Sequence, residues 1–490
     1  SAAPAAGTRV ELLVSDRSHI RIFAARTAGA AEIIGPATGA SHTFASLAPR
    51  RFELGMEGVR YAGSGFGGEV EIKLRVTDPG GAVTEQTAMV RVAPWMMPSH
   101  LDAAEKVFVA EHPRNATFRA ALKPLVRAAG CRLVEVPIAH GDDWMQDIME
   151  FGFSNLPGKG IRVVTPSAQT RALSPVGPSL LDADLGLNHV GSTVSWNTFD
   201  SHGNLEATPP ATSRAGTRYP FGRIYYGPGR GIDTFDADFR AFLHGQVVQA
   251  PFEVDTSWLA VGHVDEVISF VPAPGGKGFK LLLASPRRAY QILDGLAASH
   301  GTAKVLTGRE FPVFDPTTEA YQGRVSAETT VTALLAAGAD IHPEAGLWCS
   351  QFGVCASGTL RDFNDDRQRD MDGIRARFVD EIGLVEADII DIPAVFMPNP
   401  ATPSVADALV PGMVNMLVLN RHCIIPKPFG PVVQGRDRFE EDVVGKLRPL
   451  GLRVTFLDCW YEYHVRLGEI HCGTNTLRAR RQARWWEFQP

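Results

Sequence analysis

Short apolar runs broken by glycine and proline dominate residues 8–95. Val10-Glu11-Leu12-Leu13-Val14 opens the region, and Glu69-Val70-Glu71-Ile72-Lys73-Leu74-Arg75-Val76 alternates strictly. An Asp78-Pro79-Gly80-Gly81 turn and Ala88-Met89-Val90-Arg91-Val92 follow. Alternation with period two puts every second side chain on one face of a strand, so this stretch predicts a small β-sandwich. Pro94-Trp95-Met96-Met97-Pro98 reads as its boundary, dividing the chain into residues 1–95 and 96–490. Beyond about residue 100 the pattern mixes. Helical spacing covers 115–129, with Pro124 as a candidate kink, and then 286–298 and 439–447. Strands are expected at 132–136, 280–284, 413–419 and 454–457. Strands and helices that alternate over nearly 400 residues indicate one large α/β domain. No exact repeat and no low-complexity segment is visible.

Composition narrows this picture modestly. The chain has 490 residues, 44% hydrophobic and 21% charged, enough to bury a large core without metal or disulfide staples. Its 48 Gly and 34 Pro favour many turns and short elements. A net charge of −6 argues against nucleic acid as a general partner and tolerates cationic substrates. No run of 18 apolar residues exists, so no membrane span is expected. The small-residue start Ser1-Ala2-Ala3-Pro4-Ala5-Ala6-Gly7 resembles the beginning of a mature secreted chain or a trimmed one. Secretion is therefore the expectation, with the cytoplasm as the alternative. Of six cysteines, Cys349 and Cys355 could close a small loop and Cys423 and Cys459 could join neighbouring strands. Free thiols are the competing reading for both pairs. Asn115-Ala116-Thr117 fits a glycosylation acceptor. The basic stretch 478–486, with two tryptophans, reads as a solvated, partly packed segment rather than a nucleic-acid site.

Candidate chemistry gathers near the C-terminus, in Gly468-Glu469-Ile470-His471-Cys472-Gly473-Thr474-Asn475. A cysteine beside histidine and glycine has a local reason to be a reactive thiolate, although a buried, inert cysteine is the blander reading. Trp144-Met145-Gln146-Asp147 and Gly262-His263-Val264-Asp265-Glu266 are the polar segments that could join it. Asp147 taken alone could cap a helix, and His263 could be a satisfied core histidine or a metal ligand. A cysteine protease would use Cys472 and His263 but leave two aspartates and a tryptophan unexplained. None of the usual short Cys or His spacings of a zinc site appears. Two carboxylates suit a guanidinium, which presents N–H donors in a planar fork. An indole can stack on such a cation, and a thiolate can attack its central carbon.

The chain from about 88 to 487 resembles the protein-arginine deiminases (peptidylarginine deiminases). The resemblance rests on Val90-Arg91-Val92-Ala93-Pro94-Trp95, the segments 144–150, 261–272 and 413–418, and Phe199-Asp200-Ser201-His202-Gly203-Asn204-Leu205-Glu206. Ile425-Pro426-Lys427-Pro428-Phe429-Gly430-Pro431 and 468–475 complete it. Residues 9–87 are more weakly similar to the second immunoglobulin-like domain of the animal enzymes, whose first such domain has no counterpart here. The resemblance implies an immunoglobulin-like β-sandwich followed by a pentein domain, a five-fold pseudosymmetric α/β propeller. It implies hydrolysis of peptidyl-arginine to peptidyl-citrulline and ammonia through a covalent thiouronium, with arginine-containing peptides and proteins as partners. Cys472 would be the nucleophile, His263 the acid and base, and Asp147 and Asp265 the guanidinium anchors. Trp144 would line the slot, and Arg171 and Arg466 would hold substrate backbone carbonyls. His471 would be a loop residue without a catalytic part. One calcium site is implied at Gln146, Glu150 and Glu206 with the carbonyls of His202 and Leu205, a polar network without metal being the alternative. A second is lost, because Ile148 and Pro166 stand where acidic ligands are expected, so activity weakly dependent on calcium or independent of it is the expectation; separately, Gln169 replaces one of the two arginines usual near Arg171. A hydrolase of small free guanidines, or an inactive binder of arginine-rich peptides, are the alternative functions.

Overall fold

The computed structural model describes residues 5–488 apart from 27–28, 46–51, 139–141, 172, 192–196, 316–319 and 483. The first four residues of the small-residue start therefore lie outside the described residues. The alternating N-terminal stretch forms two antiparallel sheets. One runs in the order Ser41–Thr43, Arg9–Val14, Glu69–Thr77, Val83–Arg91. The other sets Ile20–Arg26 between Gly29–Ile34 and Leu54–Gly58. Leu12, Val14 and Val70 meet Ile20, Ile22 and Ile34 in a core of their own. The predicted turn closes the hairpin between Glu69–Thr77 and Val83–Arg91: the Asp78 carbonyl accepts from the N–H of Gly81 (3.0 Å), and Gly81 takes the positive φ (+89°) that the turn demands. Tyr61, whose hydroxyl lies 2.8 Å from Ser154 Oγ, and Gln246, whose amide donates to Ala62 O (2.9 Å), tie this layer to the rest.

After Trp95 the chain builds five three-stranded sheets with one common plan among the described residues. Each begins with an antiparallel pair and then adds a strand parallel to the middle one, across a connection that contains a helix. Met149–Leu156, Lys159–Pro166 and Leu185–Leu187 make one sheet; Leu205–Ala207, Ile224–Tyr226 and Phe252–Glu253 make the next. Ile268–Pro272, Phe279–Ser285 and Ile389–Pro393 follow, then Leu417–Leu419, His422–Pro426 and Arg453–Leu457. The remaining sheet joins distant parts of the chain: Thr474–Arg478 pairs antiparallel with Ala104–Glu111, and Arg132–Pro137 lies parallel to it. The crossovers range from the four-residue helix Val176–Ser179 to the pair Pro286–His300 and Leu360–Ile382, which hides the common plan from any fixed sequence period.

Local chemistry explains the boundaries. Phe279–Ser285 is apolar nearly throughout because it is the middle strand of its sheet and buried on both faces. Ser285 then caps the helix Pro286–His300, its hydroxyl accepting from Arg288 N (3.1 Å), with Pro286 at the first helical position. Leu360–Ile382 starts on Thr359, which exchanges hydrogen bonds with Asp362, and stops at Gly383 in the left-handed conformation. Its Phe378 is fully buried against the rings of Tyr225, Phe252 and Phe270. Burial of a side chain this size contributes roughly 2–3 kcal/mol. No helix among the described residues is long and apolar enough to cross a membrane.

Several sequence expectations need correction. The apolar run 413–419 is a strand only at Leu417–Leu419, because Asn415 turns its side chain into the loop that carries Cys472. Pro124 lies inside the helix Ala116–Ala128 without ending it. Cys349 and Cys355 are bridged, whereas Cys423 and Cys459 are free and buried. Cys423 lies within its sheet opposite Val418 and Val454, and the Cys459 thiol donates to Glu469 Oε2 (3.1 Å). Asn115 is fully buried and donates to Ala110 O (2.8 Å), so in this fold it offers no glycosylation acceptor. Of the basic stretch, Trp485 packs inward with its indole N–H on Asn155 O, and Arg478 is buried.

Candidate active site

The five sheets position the site by one shared device. In each, a residue two or three places ahead of the first strand of the antiparallel pair turns toward a common cleft. These residues are Asp147, Gly203, Asp265, Asn415 and Cys472, ahead of Met149–Leu156, Leu205–Ala207, Ile268–Pro272, Leu417–Leu419 and Thr474–Arg478. Backbone bonds lock the loops together: Gln146 N donates to Cys472 O (3.1 Å) and His202 N to Asp147 O (3.0 Å).

Cys472 is 4% exposed. Asn415 holds its loop, accepting at Oδ1 from the N–H groups of His471 (3.0 Å) and Cys472 (3.2 Å) while its Nδ2 lies 3.1 Å from Cys472 Sγ. The thiol sits 3.5 Å from Asp265 Oδ2. Burial, with the carboxylates of Asp265 and Asp147 nearby, pushes the Cys472 thiol well above its ordinary range. Without a cation in the cleft, this cysteine holds its proton.

His263 precedes the short turn Val264–Glu266, and its N–H donates to Glu266 Oε1 (2.8 Å). Its Nε2 lies 2.8 Å from the carbonyl oxygen of Thr198, which can only accept. The Nε2 position therefore carries hydrogen, and Nδ1 is the atom free to take or give a proton. Asp147 uses Oδ2 for the Arg171 guanidinium (2.5 Å), and Asp265 uses Oδ2 for His471 Nδ1 (2.8 Å).

Three polar atoms remain: Asp147 Oδ1, His263 Nδ1 and Asp265 Oδ1 are buried and have no hydrogen-bond partner. They converge. A Cβ placed on Gly203 would stand 2.5 Å from His263 Nδ1, 3.1 Å from Asp147 Oδ1 and 3.3 Å from Asp265 Oδ1. Buried acceptors without donors cost about 1–3 kcal/mol each, more when charged, so the protein keeps these three atoms unpartnered at that expense. Two carboxylate oxygens and an imidazole nitrogen gathered against Gly203, with the thiol near Asp265, match the N–H donors and electrophilic carbon of a guanidinium.

Trp144 walls the entrance, and its ring occupies the space above Gly468, where a Cβ would come within 2.3 Å of it. Arg466 lies over that indole (4.9 Å to the ring centroid) and pairs with Asp143 at 2.7 Å. The Arg171 side chain is buried, and its guanidinium bonds Asp142 (2.9 Å) and Ser201 (3.3 Å) as well as Asp147. Burial disfavours its charge, but Asp147 and Asp142 outweigh that and hold it above the usual value.

Glu206, Glu150 and Gln146 surround a separate small cavity behind the site. Gln146 Nε2 donates to Glu150 Oε2 (3.0 Å) and His202 O (3.4 Å). Burial, and then the charge of Glu206, push the Glu150 carboxyl well above its usual range. Ile148 is a buried core residue, and Gln169 accepts from Ser201 Oγ (3.2 Å).

The sequence reading therefore named Asp147, His263, Asp265, Cys472 and Trp144, which the structure brings near one another, but missed Asn415, Asp142 and the close approach of three polar atoms to Gly203. It also set His471 aside, although that imidazole is buried on Asp265. For Asn415 a signal existed: a polar residue within an apolar run (413–419) needs a partner.

The profile of the protein-arginine deiminase (PAD) family matches residues 82–487. Human protein-arginine deiminase type-4 is 33% identical over 97% of this chain and 69% of its own length. The rat type-4 protein is 36% identical and the human type-3 protein 37% identical, each over 89% of this chain and 62% of the relative. This chain belongs to the protein-arginine deiminase family. It spans roughly two thirds of the length of those relatives. Among solved structures, C. jejuni agmatine deiminase overlays loosely, at 10% identity and a TM-score of 0.43, over 80% of this chain and 98% of that one.

Proposed function

We propose that this protein hydrolyses the guanidinium of arginine residues in peptides and proteins, giving citrulline and ammonia. The carrying observation is the set of three unpartnered buried atoms, Asp147 Oδ1, His263 Nδ1 and Asp265 Oδ1, converging over Gly203 beside Cys472. A bound guanidinium supplies the missing donors to the two aspartates and offsets the negative charge that raises the thiol. The Cys472 proton passes to His263 Nδ1, and the thiolate attacks the guanidinium carbon to form a tetrahedral adduct. The C–N bond to one terminal nitrogen then breaks, that nitrogen leaving as ammonia with the proton from His263. A water next attacks the thiouronium, loses a proton to His263, and expels the thiolate as the carbonyl of citrulline forms. One covalent intermediate thus replaces a single difficult displacement. Arg171, tied to Asp142 and Asp147, positions the first aspartate; Arg466, partly exposed over Trp144, is the better placed to reach a substrate backbone carbonyl.

The five sheets of common plan support a pentein propeller over 96–490, and the paired antiparallel sheets support an immunoglobulin-like domain over 1–95. Calcium does not fit the donors present. Both Glu206 oxygens face imidazoles, at 3.2 Å and 3.4 Å, and the Arg478 guanidinium is buried in the same cavity wall. Gln146 and Glu150 are bonded to each other. An ion that takes six to eight oxygens finds few free ones here. Activity accordingly needs no calcium.

The test is citrulline release from a blocked arginine peptide, free arginine and agmatine, each with excess chelator and with added calcium. Turnover of the peptide in chelator, well above that of the small guanidines, is expected. Faster turnover of agmatine or free arginine would replace this reading with a small-guanidine hydrolase. Loss of peptide turnover in chelator, restored by calcium, would overturn calcium independence.

A further inference from the structure

We propose that His100, Glu206 and His471 form a binding site for a zinc-class divalent transition metal ion. The three side chains come from separate parts of the chain, and one ligand atom from each lies within 4.8 Å of the other two. All three are buried, at 6%, 3% and 7% exposure. His100 Nε2 stands 3.2 Å from Glu206 Oε2 and His471 Nε2 3.4 Å from Glu206 Oε1. Two donors about 2.1 Å from a tetrahedral ion lie about 3.4 Å apart, so this spacing suits an ion between them.

The outer partners point the same way. His471 Nδ1 is bonded to Asp265 Oδ2 (2.8 Å) and His100 Nδ1 to Ser269 Oγ (3.2 Å). Each ring is thus anchored through Nδ1 and presents Nε2 to the same carboxylate, the arrangement in which metal-binding histidines are held. Two imidazoles with one carboxylate select nitrogen-preferring ions over calcium or magnesium. The Arg478 guanidinium in the cavity wall directs its hydrogen bonds elsewhere, to the carbonyls of His100, Asp102 and Val418. The site connects to the cleft through one side chain, since the Asp265 that holds His471 also lies 3.5 Å from the nucleophilic thiol. An ion on His471 Nε2 fixes hydrogen on Nδ1 and so fixes the orientation of Asp265.

Cobalt(II) is the direct probe, because a tetrahedral nitrogen–oxygen site gives it visible absorption. The whole chain carrying Cys472→Ser, which cannot bind metal through that thiolate, is titrated with cobalt(II) after chelator treatment and followed by absorption and equilibrium dialysis. One equivalent is expected to bind, with a visible band that excess calcium does not remove. His100→Ala should weaken binding at least about 100-fold, and Ser269→Ala by about tenfold. A thermal unfolding scan of each variant verifies its fold, and His100→Gln stands in should the alanine variant be unfolded. Absence of stoichiometric binding, binding that survives loss of His100, or displacement by calcium would each overturn the assignment. Because the readout uses a protein without its nucleophile, a failed citrulline assay would leave this result standing, and the converse also holds.

Discussion

The cleft around Cys472 and the cavity around Glu206 are neighbours joined by the His471–Asp265 hydrogen bond, yet they treat buried polar atoms in opposite ways. In the cleft, Asp147 and Asp265 each commit one oxygen to a fixed partner and leave the other empty. In the cavity, both oxygens of Glu206 face imidazoles, and Glu150 accepts from Gln146 and from the backbone N–H of Phe151. In the proposed function, empty acceptors are where an organic cation binds. Occupied acceptors mark a structural or metal-holding role. The difference separates the two sites more cleanly than residue type does, since both are built of acids and histidines.

The sharpest way to break this contrast is to remove the chemistry of the cleft alone. Cys472→Ala should abolish citrulline formation, by on the order of 10⁴-fold or more, and His263→Gln should cost about 10²–10⁴-fold, both with unchanged melting temperatures. Residual turnover near wild type in either would show that the cleft is not where reaction occurs. Next in size is Gly203→Ala, whose methyl group would press on His263 Nδ1 and crowd the free oxygens of Asp147 and Asp265. At least about 100-fold loss of kcat/KM is expected, measured beside circular dichroism to verify the fold; retained affinity for a blocked arginine peptide would mean that the cation binds elsewhere. Asn415→Ala probes the support of the Cys472 loop instead. It strips the acceptor from two backbone N–H groups and the contact to Sγ, so kcat should fall about tenfold or more with KM little changed, at a stability cost of about 1–3 kcal/mol.

Asp407 offers a third treatment of a buried acid and the smallest predicted effect. It lines the same pocket as Cys472, and burial raises it from 3.8 to about 7 although Asn399 Nδ2 donates to it at 2.9 Å. Between those values the folded protein keeps the proton and the unfolded chain loses it, so stability falls as pH rises through this window. Asp407→Asn should therefore stabilise the protein at pH 8 by on the order of 1–3 kcal/mol and change little at pH 4. Equal melting shifts at both pH values would show that the fold does not raise the Asp407 carboxyl.

Much of this was legible before any coordinates. Period-two alternation in 69–76 and the Asp78-Pro79-Gly80-Gly81 turn located a real hairpin, because strand pattern and turn chemistry agree there. The apolar block 280–284 is a central strand for the same reason. The residues proposed to react were legible through family resemblance, since residues far apart in sequence carry no local sign that they meet. Asn415 was misread because six apolar neighbours outvoted one polar residue, and only the tertiary contact with Sγ explains it. Gly203 was invisible because its contribution is the absence of a side chain. The common plan of the five sheets escaped detection because their crossovers differ in length while only the strand edges repeat.

One detail of that plan reaches beyond catalysis. Cys472 stands just ahead of Thr474–Arg478, and that strand finds its partner in Ala104–Glu111, at the opposite end of the same region. Asp147, Gly203, Asp265 and Asn415 precede strands that pair with the next strand of their own sheet. The thiol takes its place only when Thr474–Arg478 docks onto Ala104–Glu111. That one docking also brings in His471, which holds Asp265, and the Cys472 carbonyl, which holds the Gln146 loop, so the two ends of the region close the pocket together.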